Sequence, residues 1–293
     1  MSEQTTIELD ANGIRFHALT QGSGPLALCL HGFPDDATTW RHQAPVLAAA
    51  GYRVVAPYLR GYAPTAPSPQ GYYQTAALGR DVVALLDALS PDEPAVVIGH
   101  DWGALASYAA AVLAPEKIRR LVTMAVPYGP RLATAFTTNY EQQKRSWYVF
   151  FFQTMMAESS VEHDGLRFIR NLWRDWSPDW NFTEADIAPV LATLGRPGVL
   201  EAAIGYYRCL LDPARMDPAL MADQMRIGFE AVTVPTLYIH GTGDGCMAAD
   251  LADGMEEVFP AGLEKVFVEG AGHFVHRENP DHVTAEILSF IQK

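Results

Sequence analysis

Cysteine is scarce in this chain. Three residues of 293, Cys29, Cys209 and Cys246, lie far apart and without metal-ligand spacing. An odd number so placed offers no disulfide framework and fits a reducing compartment, here the cytoplasm. Positive charge is also short: 21 Lys and Arg against 34 Asp and Glu leave a net charge of −13. That balance disfavours nucleic acid and anionic membranes as partners and favours solubility. No apolar run reaches the roughly 20 residues that a membrane-spanning helix needs. The opening residues, Met1-Ser2-Glu3-Gln4, have neither the basic nor the apolar region of a secretory signal. Internal repeats and low-complexity tracts are missing too. The length suffices for one large core, or for one core with an inserted second domain.

The sequence instead contains alternating strands and helices. Segments 6–9 and 14–19 flank Asn12-Gly13, a strong hairpin signal. Apolar strand-like runs follow at 26–30, 53–56, 95–98, 120–125, 236–240 and 265–268. Between them, 39–50, 75–89, 104–113, 250–258 and 280–292 have helical apolar spacing. Such alternation predicts an α/β fold, a mostly parallel sheet covered on both faces. It breaks at 128–228, which has no buried strand and holds Trp147, Trp173, Trp176, Trp180 and the run Tyr148-Val149-Phe150-Phe151-Phe152. This segment reads as a helical cap inserted into a core made of 1–127 and 229–293.

Gly99-His100-Asp101-Trp102-Gly103 follows the strand Ala95-Val96-Val97-Ile98 and precedes a helix rich in small residues. A nucleophile framed by glycines at a strand-to-helix turn is the elbow of an esterase-type hydrolase, with Asp in place of the usual Ser. A carboxylate is a poor acylating nucleophile, but it displaces an epoxide oxygen or a halide from an sp³ carbon. The positive end of the following helix favours its negative charge. Read without the glycine frame, Asp101 would be a helix N-cap. Asp244, in Gly241-Thr242-Gly243-Asp244, and His273, in Gly270-Ala271-Gly272-His273-Phe274, also follow strands. Open α/β sheets collect their ligands there. Asp250 competes with Asp244 as the acid, and His276 with His273 as the base.

His31-Gly32-Phe33-Pro34, the Asp101 elbow, Gly272-His273-Phe274 and two cap tyrosines together resemble the epoxide hydrolases of the α/β-hydrolase superfamily, over nearly the whole chain. The resemblance implies an Asp101 alkyl-enzyme ester, hydrolysed by water that His273 activates under orientation by Asp244. It implies an oxyanion hole from the backbone N–H groups of Phe33 and Trp102, and a Phe33–Pro34 bond that is often cis in similar proteins. Tyr148 and Tyr207 are implied as proton donors to the opened ring, although Tyr206 lies beside Tyr207 and only one of the two can point inward. The expected pocket lining is Phe33, Trp102, Tyr148, Phe152 and Tyr207. The expected partner is a small-molecule epoxide. No metal or organic cofactor is required, and assembly with further copies stays open.

Two alternatives use the same residues. A haloalkane dehalogenase would hold its halide with Trp102, but such enzymes usually have Asn where Phe33 stands. A haloacetate enzyme would need cations for its substrate, and Trp102 with Ala104-Leu105-Ala106 supplies none near the nucleophile. Arg145, Arg167, Arg170 and Arg208 in the cap keep that option alive. A non-catalytic small-ligand-binding member of the superfamily would be marked by loss of a triad residue, and none is lost.

Overall fold

The computed structural model describes residues 3–293, so Met1 and Ser2 of the opening segment lie outside the described residues. Strands β1 (Thr5–Ala11) and β2 (Ile14–Gln21) form the antiparallel hairpin, with Ala11 opposite Ile14. Its turn residues Asn12 and Gly13 have φ of 48° and 73°, the left-handed conformations that a two-residue hairpin requires. Strands β3 (Leu26–Leu30), β4 (Arg53–Pro57), β5 (Ala95–His100), β6 (Ile118–Met124), β7 (Thr236–Gly241) and β8 (Leu263–Val268) complete the sheet. The described residues place its eight strands in the order β1-β2-β4-β3-β5-β6-β7-β8. β2 pairs antiparallel with β4, and every pair from β4 to β8 is parallel.

Both faces of the sheet are covered, which is why its central strands read as continuous apolar runs. Side chains alternate between two apolar layers. Ala27, Val96, Ile98 and Val122 share a layer with residues of α1 (Gln43–Ala49) and of α12 (Pro280–Ile291), the last helix. Leu28, Val97 and Leu121 share the other with α2 (Thr75–Leu89) and α3 (Trp102–Leu113).

Between β6 and β7 the sheet gains no strand. The chain instead forms helices α4 (Pro130–Thr138), α5 (Tyr140–Arg145), α6 (Trp147–Phe151), α7 (Ala157–Trp176), α8 (Glu184–Leu194), α9 (Val199–Leu211) and α10 (Met221–Arg226). Within α7 the helix breaks at His163, and Asp164, Gly165 and Leu166 take φ of 51°, 64° and 62°. α11 (Val275–Glu278) follows β8.

Two helix expectations are corrected. The segment 250–258 is not one α-helix but two 3₁₀ turns, Ala249–Ala252 and Met255–Val258, separated at Gly254 with φ of 78°. The stretch 39–50 splits into a 3₁₀ turn, Ala37–Arg41, and α1. Pro45 falls in the first turn of α1, where its missing N–H costs nothing, but it cannot continue a longer helix.

Candidate active site

Asp101 is the first residue after β5 and the N-cap of α3, with φ of 52° and ψ of −117°. A non-glycine residue rarely holds such a conformation, and it persists only where packing enforces it. Here Gly103 lets the turn lie against β3: a Cβ on it would come within 2.1 Å of the Leu30 carbonyl oxygen. That approach brings the loop after β3 onto the nucleophile. The Phe33 N–H donates to Asp101 Oδ1 at 2.7 Å, and the Phe33–Pro34 bond is cis. His31 braces the loop. Its Nε2 accepts from the Leu59 N–H at 3.0 Å, so its Nδ1 carries the proton donated to the Gly32 carbonyl at 3.0 Å. The Trp102 amide lies beside Gly32, where a Cβ would approach it to 2.7 Å.

Asp244 and His273 meet behind Asp101. Asp244 Oδ2 accepts from His273 Nδ1 at 2.9 Å, and Oδ1 accepts from the N–H groups of Cys246 and Met247 at 2.7 and 2.9 Å. The other imidazole nitrogen, Nε2, stands 3.6 Å from Asp101 Oδ2. Asp250 is exposed in a 3₁₀ turn. The two loops are joined by the C-terminal end of α7, whose Trp176 carbonyl accepts from both Gly245 N–H and His273 N–H at 3.0 Å. A Cβ on Gly245 would fall 1.9 Å from the Asp175 carbonyl oxygen, so only glycine admits this backbone. Arg145 of α5 also donates to the Asp244 carbonyl.

The charges follow from this geometry. Burial pushes His273 down, but Asp244, Cys246 and Asp101 outweigh it and hold the imidazole well above its ordinary value. Burial raises the Asp244 carboxyl, yet His273, His240 and the loop N–H groups bring it below its ordinary value. Asp244 is thus a fixed anion that orients the His273 imidazole.

Asp101, Trp102, Tyr148 and Tyr207 line one cavity of about 350 Å³. It runs outward past Leu132 and Phe136 of α4, Leu210 and Leu211 of α9, and Ile227. Such walls suit an apolar ligand. Tyr206 and Tyr207 separate cleanly. The Tyr206 hydroxyl donates to the Arg60 carbonyl at 2.8 Å, whereas the Tyr207 hydroxyl is buried without a regular hydrogen bond and interacts with the Trp102 indole. The Tyr148 hydroxyl lies 3.2 Å from Cys246 Sγ. Burial above all, with Cys246 for Tyr148 and Asp101 for Tyr207, lifts both phenols well above their ordinary value. Both are therefore neutral donors at neutral pH.

The expected lining is corrected at two positions. Phe33 and Phe152 do not line the cavity. Their rings pack edge-to-face at 5.3 and 5.2 Å against Tyr207, which does line it. The cavity's outer wall, on α4 and the end of α9, was not legible, because apolar helix faces there read equally as core. Cys246 was also missed. Its signal is its place two residues after Asp244, in the turn that must close over the acid.

His276 does not reach the cavity. It lies under His100, ring centroids 4.5 Å apart, and His100 in turn lies 4.9 Å from His273. His100 donates from Nε2 to the His273 carbonyl at 2.9 Å, and burial pushes it down to about 3, so it supports the base as a neutral ring. Beyond His276, Thr39 bridges to Asp35, whose carboxylate faces Arg277 at 3.4 Å. Arg277 lies over Trp173 and Trp180 at 4.7 and 5.3 Å and donates to the Asp186 carbonyl at 2.7 Å, tying the α7–α8 region to the core.

Burial raises Asp35 from 3.8 to about 6 despite Arg277. Through that window the native state keeps a proton that the unfolded chain has lost, so stability falls as pH rises. Asp35→Asn removes this loss. The difference in Tm between variant and parent is expected to move in the variant's favour as pH rises from 3.8 to about 6; a difference independent of pH in thermal scans would contradict it.

The model of the α/β-hydrolase fold family matches residues 25–280. Epoxide hydrolase 1 of Siraitia grosvenorii is 30% identical, covering 99% of this chain and 98% of its own. Epoxide hydrolase A of Mycobacterium tuberculosis is 29% identical over 99% of this chain and 98% of its own. The crystal structure of an epoxide hydrolase from Vigna radiata superposes with a TM-score of 0.82 at 29% identity, covering 99% of this chain and 98% of that one. By fold, by sequence and by the elbow that carries Asp101, the chain belongs to the α/β-hydrolase family and, within it, to the epoxide hydrolases.

Proposed function

We propose that the protein hydrolyses an epoxide to a vicinal diol through a covalent ester on Asp101. The observation that carries this reading is the division of labour between the two Asp101 oxygens. Oδ1 is held by the Phe33 N–H, while Oδ2 faces His273 and the cavity that two neutral tyrosines line. Oδ2 attacks an epoxide carbon, the C–O bond breaks, and the ring oxygen takes a proton from Tyr148 or Tyr207. The ester carbonyl is then C–Oδ1, already on its N–H donor. Water attacks the carbonyl carbon and gives a proton to Nε2 of His273, and the Phe33 and Trp102 amides stabilise the oxyanion on Oδ1. The ester bond breaks, the imidazolium proton passes to the departing alkoxide, the diol leaves, and the proton of the regenerated Asp101 carboxyl returns to the tyrosinate.

Esterification removes the charge of Asp101, one of the anions that raise His273. The proton affinity of the imidazole therefore falls after ring opening, the state in which it must act as a base. Residues 128–228 act as the cap that supplies the tyrosines, and 1–127 with 229–293 as the core that supplies the triad. Three free, buried cysteines support a cytoplasmic location, and no single helix among the described residues is long and apolar enough to cross a membrane. The absence of Lys and Arg from the cavity lining counts against a haloacetate substrate. Of the four cap arginines considered for that role, three pair with carboxylates, Arg208 with Glu158, Arg170 with Glu184 and Arg167 with Asp164, and Arg145 donates to the Asp244 carbonyl.

Tyr148→Phe and Tyr207→Phe are each expected to slow ring opening by about 10²-fold, leaving ester hydrolysis close to the parent rate. Rapid-quench measurement of alkylation separates the steps. An unchanged alkylation rate in one variant would remove that tyrosine from the donor pair.

A further inference from the structure

Cys246 has no part in the proposed hydrolysis, yet its thiol sits at the centre of the acid–base machinery. One ligand atom each from Asp244, Cys246 and His273 lie within 4.8 Å of one another, and all three residues are buried. Tetrahedral zinc-like ions with bonds of about 2.0–2.3 Å hold their ligand atoms about 3.4–3.8 Å apart. That spacing falls within the 4.8 Å limit of the cluster, and Asp244 Oδ2 and His273 Nδ1 are already at 2.9 Å. Nδ1 is therefore the His273 nitrogen on the cluster side, and an ion there takes the place of the proton that Nδ1 donates to Asp244.

We propose that Asp244, Cys246 and His273 form a binding site for a soft divalent cation such as Zn²⁺ or Cd²⁺, and that its occupation switches the enzyme off by taking the acid and the base together. Thiolate and imidazole select such ions, whereas Mg²⁺ and Ca²⁺ demand more oxygen ligands than the cluster offers. Charge favours the exchange. A divalent cation with one thiolate and one carboxylate is neutral, and Asp101 Oδ2 stands beside the same imidazole at 3.6 Å. The cation displaces the thiol proton and the His273 Nδ1 proton to solvent, so its affinity rises with pH, by about tenfold per unit for each proton released. The cavity that reaches Asp101 is also lined by Tyr148, whose hydroxyl lies 3.2 Å from the Cys246 sulfur, and by Met247, the next residue in the chain.

The inhibitory consequence rests on the hydrolase reading, but binding is read without turnover. The test is titration of the full-length protein with Cd²⁺ in buffer free of thiols and chelators. It follows the thiolate-to-Cd²⁺ charge-transfer band in the ultraviolet, with isothermal calorimetry alongside. One equivalent is expected to bind with the band and with inhibition at the same midpoint, both reversed by a chelator and neither produced by Mg²⁺. Cys246→Ala is expected to lose the band and at least about tenfold in affinity. No band in the parent protein overturns the site, and so does a band kept in Cys246→Ala, which would put the cation on Cys29 or Cys209. Should Cys246→Ala not fold, His273→Gln decides: it keeps all three thiols, so weakened Cd²⁺ binding supports the site and unchanged binding overturns it. Cd²⁺ binding in a protein that turns over no epoxide would leave the site standing and remove the hydrolase reading.

Discussion

Asp101→Ala is expected to lower turnover of an aryl epoxide by at least about 10⁴-fold. The methyl group offers no lone pair to the epoxide carbon, and among the described residues no other carboxylate lines the cavity. The variant keeps the cavity, both tyrosines and the Asp244–His273 pair, so substrate can still enter and be polarised. Its residual rate is then that of water attacking a bound epoxide. Alanine at φ of 52° is strained, at a cost of order 1–3 kcal/mol. Circular dichroism and Tm must therefore show a folded variant before its activity is read. Diol formation within tenfold of the parent by chromatography would mean that Asp101 is only the N-cap of α3.

His273→Gln is expected to split the reaction in two. Ring opening needs the Asp101 carboxylate and the tyrosines, and it should proceed close to the parent rate. Ester hydrolysis needs a base on the water and should fall by about 10²–10⁴-fold. Glutamine keeps much of the volume against Trp176, 5.0 Å from the imidazole, and against His100, but it cannot take a proton. Rapid-quench kinetics should then show a burst of ester equal to the enzyme concentration, followed by almost no diol. Equal slowing of both steps would mean that His273 holds Asp101 in place rather than activating water.

Much of this site was legible because its residues are anchored by strand ends. Asp101, Asp244 and His273 follow β5, β7 and β8, and a parallel sheet brings those ends to one edge whatever the loops do. The elbow glycines and Asn12-Gly13 declared turns that only particular backbones satisfy. What stayed hidden depends on contacts between segments far apart in the chain. The choice between Tyr206 and Tyr207 is made by the Arg60 carbonyl, 146 residues away in sequence. The packing of Phe33 and Phe152 against Tyr207, and the meeting of Cys246 with Tyr148, are likewise set by how α6 and α9 lie over the core. Loop 57–63 has no acidic residue. It is built instead on Arg60, which donates to both oxygens of the buried Asp81 at 2.6 Å.

The central claim, an ester on Asp101, is tested most directly by the intact mass of His273→Gln after mixing with an aryl epoxide and, separately, with a haloalkane and a haloacetate. The expected result is a mass increase equal to the whole epoxide, located on Asp101 by peptide mapping, with no adduct from either halide. An adduct equal to a halide substrate less its hydrogen halide would show the same nucleophile serving a dehalogenase. No adduct from any of the three would contradict covalent catalysis by Asp101 and point to a protein that binds small ligands without turning them over.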